Sequence, residues 1–174
     1  MRERDAWCIM KILVISDSHS SMHFMRRAVE VTRPAHIVHL GDYYEDGEVL
    51  ALEHPQIRFH QVPGNCDRGY CDPALPLLLC YDVGGVRLLM THGHNHGVKS
   101  GDHRLAAQGR AMGAAAVLYG HTHEAVCRRE EDGLWIINPG SCRGYGGSVA
   151  LLETENKEIV SCRILGQEEL EEMA

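Results

Sequence analysis

This sequence predicts an α/β protein in which two sheets pack together with helices outside, and three observations lead there. Apolar runs of strand length recur along the chain, bounded by polar or glycine-containing turns. The early runs alternate with helical patterns, an order that implies parallel strands joined by right-handed crossovers. The late runs follow one another with no helical pattern between them, as antiparallel strands do.

In chain order, Met10 opens a first strand that runs Lys11 to Ser16 (KILVIS). Ser20 or Ser21 is placed to cap a helix, and Met22, Met25, Ala28, Val29 and Thr32 keep helical spacing until Pro34. A second strand follows over His36 to Leu40, then a polar loop and a short helix from about Glu48 to Glu53, stopped near Pro55. Ile57 to Val62 forms a third strand leading into the turn Pro63-Gly64-Asn65. After a proline-bearing loop from Cys71 to Leu78, Leu79 to Thr91 reads as a hairpin turning at Gly84-Gly85. Asp102 is placed to cap a helix that turns Leu105, Ala106 and Met112 inward and ends at Gly113. Ala115 to Tyr119, Leu134 to Ile137, Ser148 to Leu152 and Glu158 to Ile164 complete the strands. The domain is expected over residues 10–166, with a flexible extension at 1–9 and an exposed acidic end at 167–174.

Composition narrows the function classes. With 174 residues the chain fits one domain that buries roughly 70% of its unfolded surface. Its 44% hydrophobic and 24% charged residues are those of a globular protein. A formal charge of −7 speaks against stable nucleic-acid binding, which needs clustered lysine and arginine. No apolar run is long enough to span a bilayer and no secretory leader is visible, so a cytoplasmic location is expected, and a homo-oligomer stays open. Seven cysteines without a Cys-x-x-Cys pair point to reduced thiols.

The chemistry sits in short polar clusters, each directly behind an apolar run. Asp17-Ser18-His19, Gly41-Asp42, Gly64-Asn65-Cys66-Asp67, His92-Gly93-His94 and Gly120-His121-Thr122-His123 all fall where a strand ends. Open α/β sheets bind ligands beyond the carboxyl ends of their strands. In extended chain, residues i and i+2 share a face, so His121 and His123 can address one site, although a solvated loop also tolerates such a pair. Asp17, His19, Asp42, Asn65, His92, His121 and His123 make seven candidate ligands, too many for one tetrahedral zinc. Two ions sharing a carboxylate fit better, and a mixed oxygen and nitrogen set without thiolates suits transition metals. Such a pair, about 3.5 to 4 Å apart, activates water and steadies phosphoryl oxygens.

In this order, D-x-H, G-D, G-N, H-G-H and G-H-T-H resemble the calcineurin-like metallophosphoesterases, and the G-N-C-D form with Asn138-Pro139-Gly140-Ser141 resembles the small phosphodiesterases of the YfcE/MJ0936 type. The resemblance implies a four-layer α/β/β/α sandwich and a phosphodiesterase with two divalent ions, manganese foremost and nickel, iron, cobalt or zinc as alternatives. It implies one ion on Asp17, His19 and His123, another on Asn65, His92 and His121, and Asp42 between them, with a bridging hydroxide attacking a small-molecule phosphoester. Asn65 and His94 are the candidates for direct catalytic roles; Cys66, Arg68, His94 and Arg143 are the candidates for substrate contact, each weighed against a plain surface role. Asp67 reads as either a ligand-holding or a capping carboxylate, and His39 and His60 as structural imidazoles inside strands. A phosphomonoesterase or nucleotide pyrophosphatase on the same centre is the alternative activity. The architecture also resembles the retromer subunit Vps29, a binding scaffold, but every ligand position is retained here, which favours catalysis.

Overall fold

A computed structural model describes residues 9–174; of the extension expected at 1–9, all but Ile9 lies outside the described residues, as does Cys8. The first sheet contains β1 (Met10–Ile15), β2 (His36–His39), β3 (Arg58–Gln61), β9 (Val149–Glu155) and β10 (Glu158–Leu165), in the order β10-β9-β1-β2-β3. The second contains β4 (Leu78–Val83), β5 (Val86–Thr91), β6 (Ala116–Leu118), β7 (Val126–Arg129) and β8 (Trp135–Asn138), in the order β4-β5-β6-β8-β7. In the first sheet β1, β2 and β3 are parallel, and β9 returns antiparallel on β1. In the second β5, β6 and β8 are parallel. The strands that carry the polar clusters therefore end on one side.

Side-chain alternation builds the layers. Ile12 and Val14 of β1 meet Leu88 and Met90 of β5 and Leu118 of β6 in a core between the sheets. Their neighbours Leu13 and Ile15 point the other way, onto α1 (Met22–Thr32), α2 (Tyr44–Glu53) and α4 (Gln167–Glu172). Leu89 and Val117 face α3 (His103–Ala111) across Leu105 and Ala106. Helices, sheet, sheet and helix make the expected four-layer α/β/β/α sandwich. No helix among the described residues is long and apolar enough to cross a membrane, and the described cysteines are free thiols.

Several elements depart from the sequence reading for physical reasons. The acidic end at 167–174 holds α4, where Glu169 accepts a hydrogen bond from the Gly166 amide and Leu170 is buried against the first sheet. One apolar residue in a six-residue helix leaves no period to read. The helix expected from Glu48 begins at Tyr44, because the Asp67 carboxylate accepts from the Tyr44 amide and supplies the missing end partner from 23 residues away. Asp102 takes the expected N-cap position of α3 but without a side-chain capping bond; its carboxylate accepts from Arg128 and from the Tyr119 hydroxyl. Ser21 takes the N-cap position of α1 without a side-chain bond. β7 was unforeseen, since an edge strand reading Val-Cys-Arg-Arg shows no apolar alternation.

Candidate metal centre

The polar clusters meet where β1, β2 and β3 of one sheet and β5 and β6 of the other come to an end. Two close backbone approaches bring them together, and both depend on glycine. A Cβ at Gly64 would lie 2.2 Å from Asp42 Oδ1, and one at Gly41 would lie 2.3 Å from the Gly64 nitrogen. A Cβ at Gly120 would lie 1.9 Å from Ser16 Oγ. The glycines of the G-D, G-N and G-H-T-H clusters are thus what lets one cluster touch the next.

Strain gathers in the same place. Asp17, His19, Asp42, His121 and His123 all have left-handed backbone, with φ between 43° and 69°. Side chains other than glycine and asparagine adopt this region at a cost of order 1–2 kcal/mol each, and such residues persist where the surroundings hold them. Here the holding bonds are identifiable. Asp17 Oδ2 accepts from Ser16 Oγ at 2.5 Å and from the His121 amide at 3.0 Å. Its own amide donates to the Gly41 carbonyl, and its carbonyl accepts from Ser141 Oγ. Asp42 Oδ1 accepts from the Cys66 amide at 2.9 Å. Asp67 settles as a buttress: Oδ2 accepts from the amides of Asp42 and Gly64 while Oδ1 takes that of Tyr44. Asn138 donates to the Gly120 carbonyl and to Thr122 Oγ1, which fixes the two-histidine loop.

With those bonds made, the remaining atoms face one another as acceptors. Asp17 Oδ1 and His19 Nε2 are buried without a hydrogen-bond partner, although His123 Nε2 lies 3.0 Å from that Asp17 oxygen. Donor atoms from Asp17, His19, Asp42 and His123 lie within 4.8 Å of one another. His92 Nδ1 is 2.7 Å from the Leu40 carbonyl, which can only accept, so Nδ1 carries a proton and Nε2 is the atom left to address the centre. His92 Nε2 lies 3.1 Å from Asn65 Oδ1, 3.5 Å from Asp42 Oδ2 and 4.0 Å from Asp17 Oδ1. Carboxylate oxygens and imidazole nitrogens gathered this closely call for positive charge among them, a proton on Nε2 or a metal ion. The group of Asp17, His19, Asp42 and His123 therefore fits a divalent metal ion, with His92 Nε2 3.5 Å from Asp42 on its other side.

The electrostatics show the same demand for positive charge. Burial alone would raise the Asp42 carboxyl and lower His92, yet each is moved the opposite way by the other: His92 beside Asp42 holds the carboxyl far below its usual range, and Asp42 with Asp17 raises the imidazole. Burial and the Asp42 carboxylate push the Cys66 thiol up to about 11, so it remains a thiol at neutral pH.

The sequence model of the calcineurin-like phosphoesterase superfamily domain matches residues 10–157. The chain belongs to that superfamily. It is 28% identical over 171 residues to "Phosphodiesterase MJ0936" of Methanocaldococcus jannaschii, a match that covers 86% of this chain and 96% of the relative. It is 34% identical over 143 residues to the "Probable metallophosphoesterase YsnB" of Bacillus subtilis, covering 77% and 76% of the two chains. Among solved structures, a predicted phosphoesterase from Streptococcus pneumoniae superposes with a TM-score of 0.69 at 22% identity over 93% of this chain and all of that one. Vps29 from Cryptosporidium parvum does so with a TM-score of 0.70 at 15% identity, over 92% and 98%. These two likenesses share the superfamily sandwich.

Of the other residues singled out from sequence, His94 stands nearest: its ring is 5.5 Å from that of His92 and 6.2 Å from that of His121, and its Nδ1 is buried without a partner. Burial and the His92 ring lower its pKa, which leaves it neutral. Cys66 is exposed beside Asn65, whose amide reaches its sulfur at 3.6 Å. Arg68 and Arg143 are exposed on loops around the centre, the second following the turn that Ser141 anchors to Asp17. His39 is fully buried, between Ser18 Oγ and the Gly41 amide, and burial lowers its pKa to about 4. The sequence reading missed Asp46, whose Oδ2 accepts from Ser18 Oγ and the Ser20 amide and so braces the loop that carries His19. Its bonds reach back 26 and 28 residues, and no local pattern marks it.

Proposed function

We propose that the protein is a two-metal phosphodiesterase of small-molecule phosphodiesters, with Asp17, His19 and His123 on one ion, Asn65, His92 and His121 on the other and Asp42 shared. The observation that carries this reading is the convergence of Asp17, His19, Asp42 and His123 within 4.8 Å, where Asp17 Oδ1 and His19 Nε2 are buried without hydrogen-bond partners and His92 Nε2 lies 3.5 Å from Asp42. Bound there, divalent ions would supply a nucleophilic water at neutral pH and neutralise charge developing on the phosphoryl oxygens. The protein's part is to hold its donors still. Leu40 fixes the tautomer of His92, Asp67 holds the backbone of Asp42, and Ser16 with the His121 amide turns the second oxygen of Asp17 inward. His94, neutral and with a buried nitrogen free of protein partners, is the group we assign to a phosphoryl or leaving oxygen. Cys66 stands where an imidazole would be a better proton donor, so substrates with weakly basic leaving groups should be cleaved fastest. Manganese is the ion we propose, on a mixed oxygen and nitrogen donor set without thiolates.

The reading is supported by a relative named as a phosphodiesterase. Its test is an assay of bis(4-nitrophenyl) phosphate, an alkyl diester and 4-nitrophenyl phosphate on one preparation, before and after chelation and manganese replenishment. The aryl diester should be cleaved fastest, with activity lost on chelation and regained with manganese. Faster cleavage of the monoester would favour the phosphomonoesterase alternative, and hydrolysis indifferent to chelation would overturn the metal reading.

A further inference from the structure

An open cleft of about 860 Å³ adjoins the candidate centre, within the range of about 300–1,000 Å³ that small-molecule sites occupy. His19 and Cys66 line its inner end, so a phosphoryl group held at the centre would project a substituent into it. The walls are the rings of Tyr43, Tyr44 and Tyr70 and the carboxylates of Glu45, Glu48 and Asp72. Among the described residues that line it there is no lysine or arginine.

Tyr70 is 92% exposed, an aromatic ring left open to solvent at the rim. Tyr43 stands on left-handed backbone at φ 70° with its ring 5.0 Å from that of His19, so its placement at the mouth is held against conformational preference. Aromatic faces present the negative side of their quadrupole, and carboxylates add full negative charge. A second phosphate or carboxylate would be repelled here. A cation would be attracted by these tyrosines and carboxylates. On a chain of net charge −7, this cleft disfavours polyanions and suits a diester whose single negative charge is balanced by a positive end.

We propose that the cleft binds the ammonium or quaternary ammonium end of the substrate, which makes the substrate class a zwitterionic phosphodiester of an amino alcohol. This rests on the phosphodiesterase reading above. The closing experiment compares 4-nitrophenyl phosphorylcholine with 4-nitrophenyl 3,3-dimethylbutyl phosphate, which share leaving group and shape and differ only in nitrogen against carbon. The manganese-loaded protein should favour the choline ester about tenfold in kcat/KM, mainly through KM, about 1.4 kcal/mol. That ratio should shrink with added salt, and in Glu48→Gln and Tyr70→Ala. If both esters are cleaved at equal rates, or the 3,3-dimethylbutyl ester faster, the cleft proposal falls and the phosphodiesterase reading stands. An undiminished ratio in both variants also overturns the proposal, since the selectivity then lies elsewhere. If neither ester is cleaved, the phosphodiesterase reading falls, and calorimetry with phosphorylcholine and 3,3-dimethylbutyl phosphate still decides the cleft: tighter binding of the cation supports it, and equal or weaker binding overturns it.

Discussion

Two groups of histidines sit in this molecule, and they are built on opposite principles. At the start of β2, away from the centre, His36 Nδ1 lies 3.0 Å from His60 Nε2, and His60 Nδ1 lies 2.9 Å from the Tyr81 hydroxyl. One proton per contact satisfies that chain of neutral rings. Burial lowers both imidazoles, and the neighbouring Arg58 lowers them further. At the strand ends, by contrast, imidazole nitrogens crowd round carboxylate oxygens, and the buried Asp17 Oδ1 and His19 Nε2 lack hydrogen-bond partners. The contrast teaches how to tell a structural histidine from a ligand: by whether what its nitrogens face completes a hydrogen bond or demands a cation.

The largest effect that sharpens the contrast is expected at Asp42. Replacing it with alanine should lower kcat/KM on a diester by more than about 10³-fold, above about 4 kcal/mol, with the far-ultraviolet circular dichroism unchanged. A loss of less than tenfold would mean that the carboxylate is not shared between the donors.

Next comes His39, the buried imidazole that belongs to neither group. Its folded pKa of about 4 lies below the ordinary value of 6.5, so the unfolded chain takes up a proton that the native state refuses. The associated stability is whole above pH 6.5 and is lost as pH falls toward 4, at about 1.4 kcal/mol per pH unit and about 3 kcal/mol in all. Urea unfolding of the chelated protein across that window should show a shallower pH dependence in His39→Gln. Parallel curves for the two proteins would refute the assignment.

Asp67 should matter less than Asp42 because it acts through it. Asp67→Asn should weaken manganese affinity or diester turnover by about 10- to 100-fold, the usual range for groups that hold a ligand in place. A metal titration that superposes on the wild type would reduce Asp67 to a helix-end partner of α2. The smallest effect is expected in the other histidine group, where His60→Phe should change kcat/KM by less than about twofold while altering the melting temperature. A loss of activity at intact metal content would erase the distinction between the groups.

The candidate donors were legible in the sequence, because each lies in a two- to four-residue cluster directly behind its own strand, and strand ends converge in an α/β sheet. Their supports were not. Asp67 was left between two roles, since its three amide partners come from Asp42, Tyr44 and Gly64 and only the last is near in sequence. Asp46 and the Leu40 carbonyl act across similar gaps, the second over 52 residues to His92. The fold shows the same division. Long periodic segments such as α1 were plain, whereas α4 rests on Leu170 alone and Asp102 exchanged its expected side-chain capping bond for a pairing with Arg128. Local patterns carry the elements and the donors; contacts distant in sequence carry what positions them.

The central claim, that one carboxylate is shared by two groups of donors, is tested most directly by metal content at full activity. Elemental analysis of manganese-replenished protein, taken alongside diester turnover, should give close to two ions per chain, with both sites weakened together in Asp42→Ala. One ion per chain in fully active protein would contradict the account.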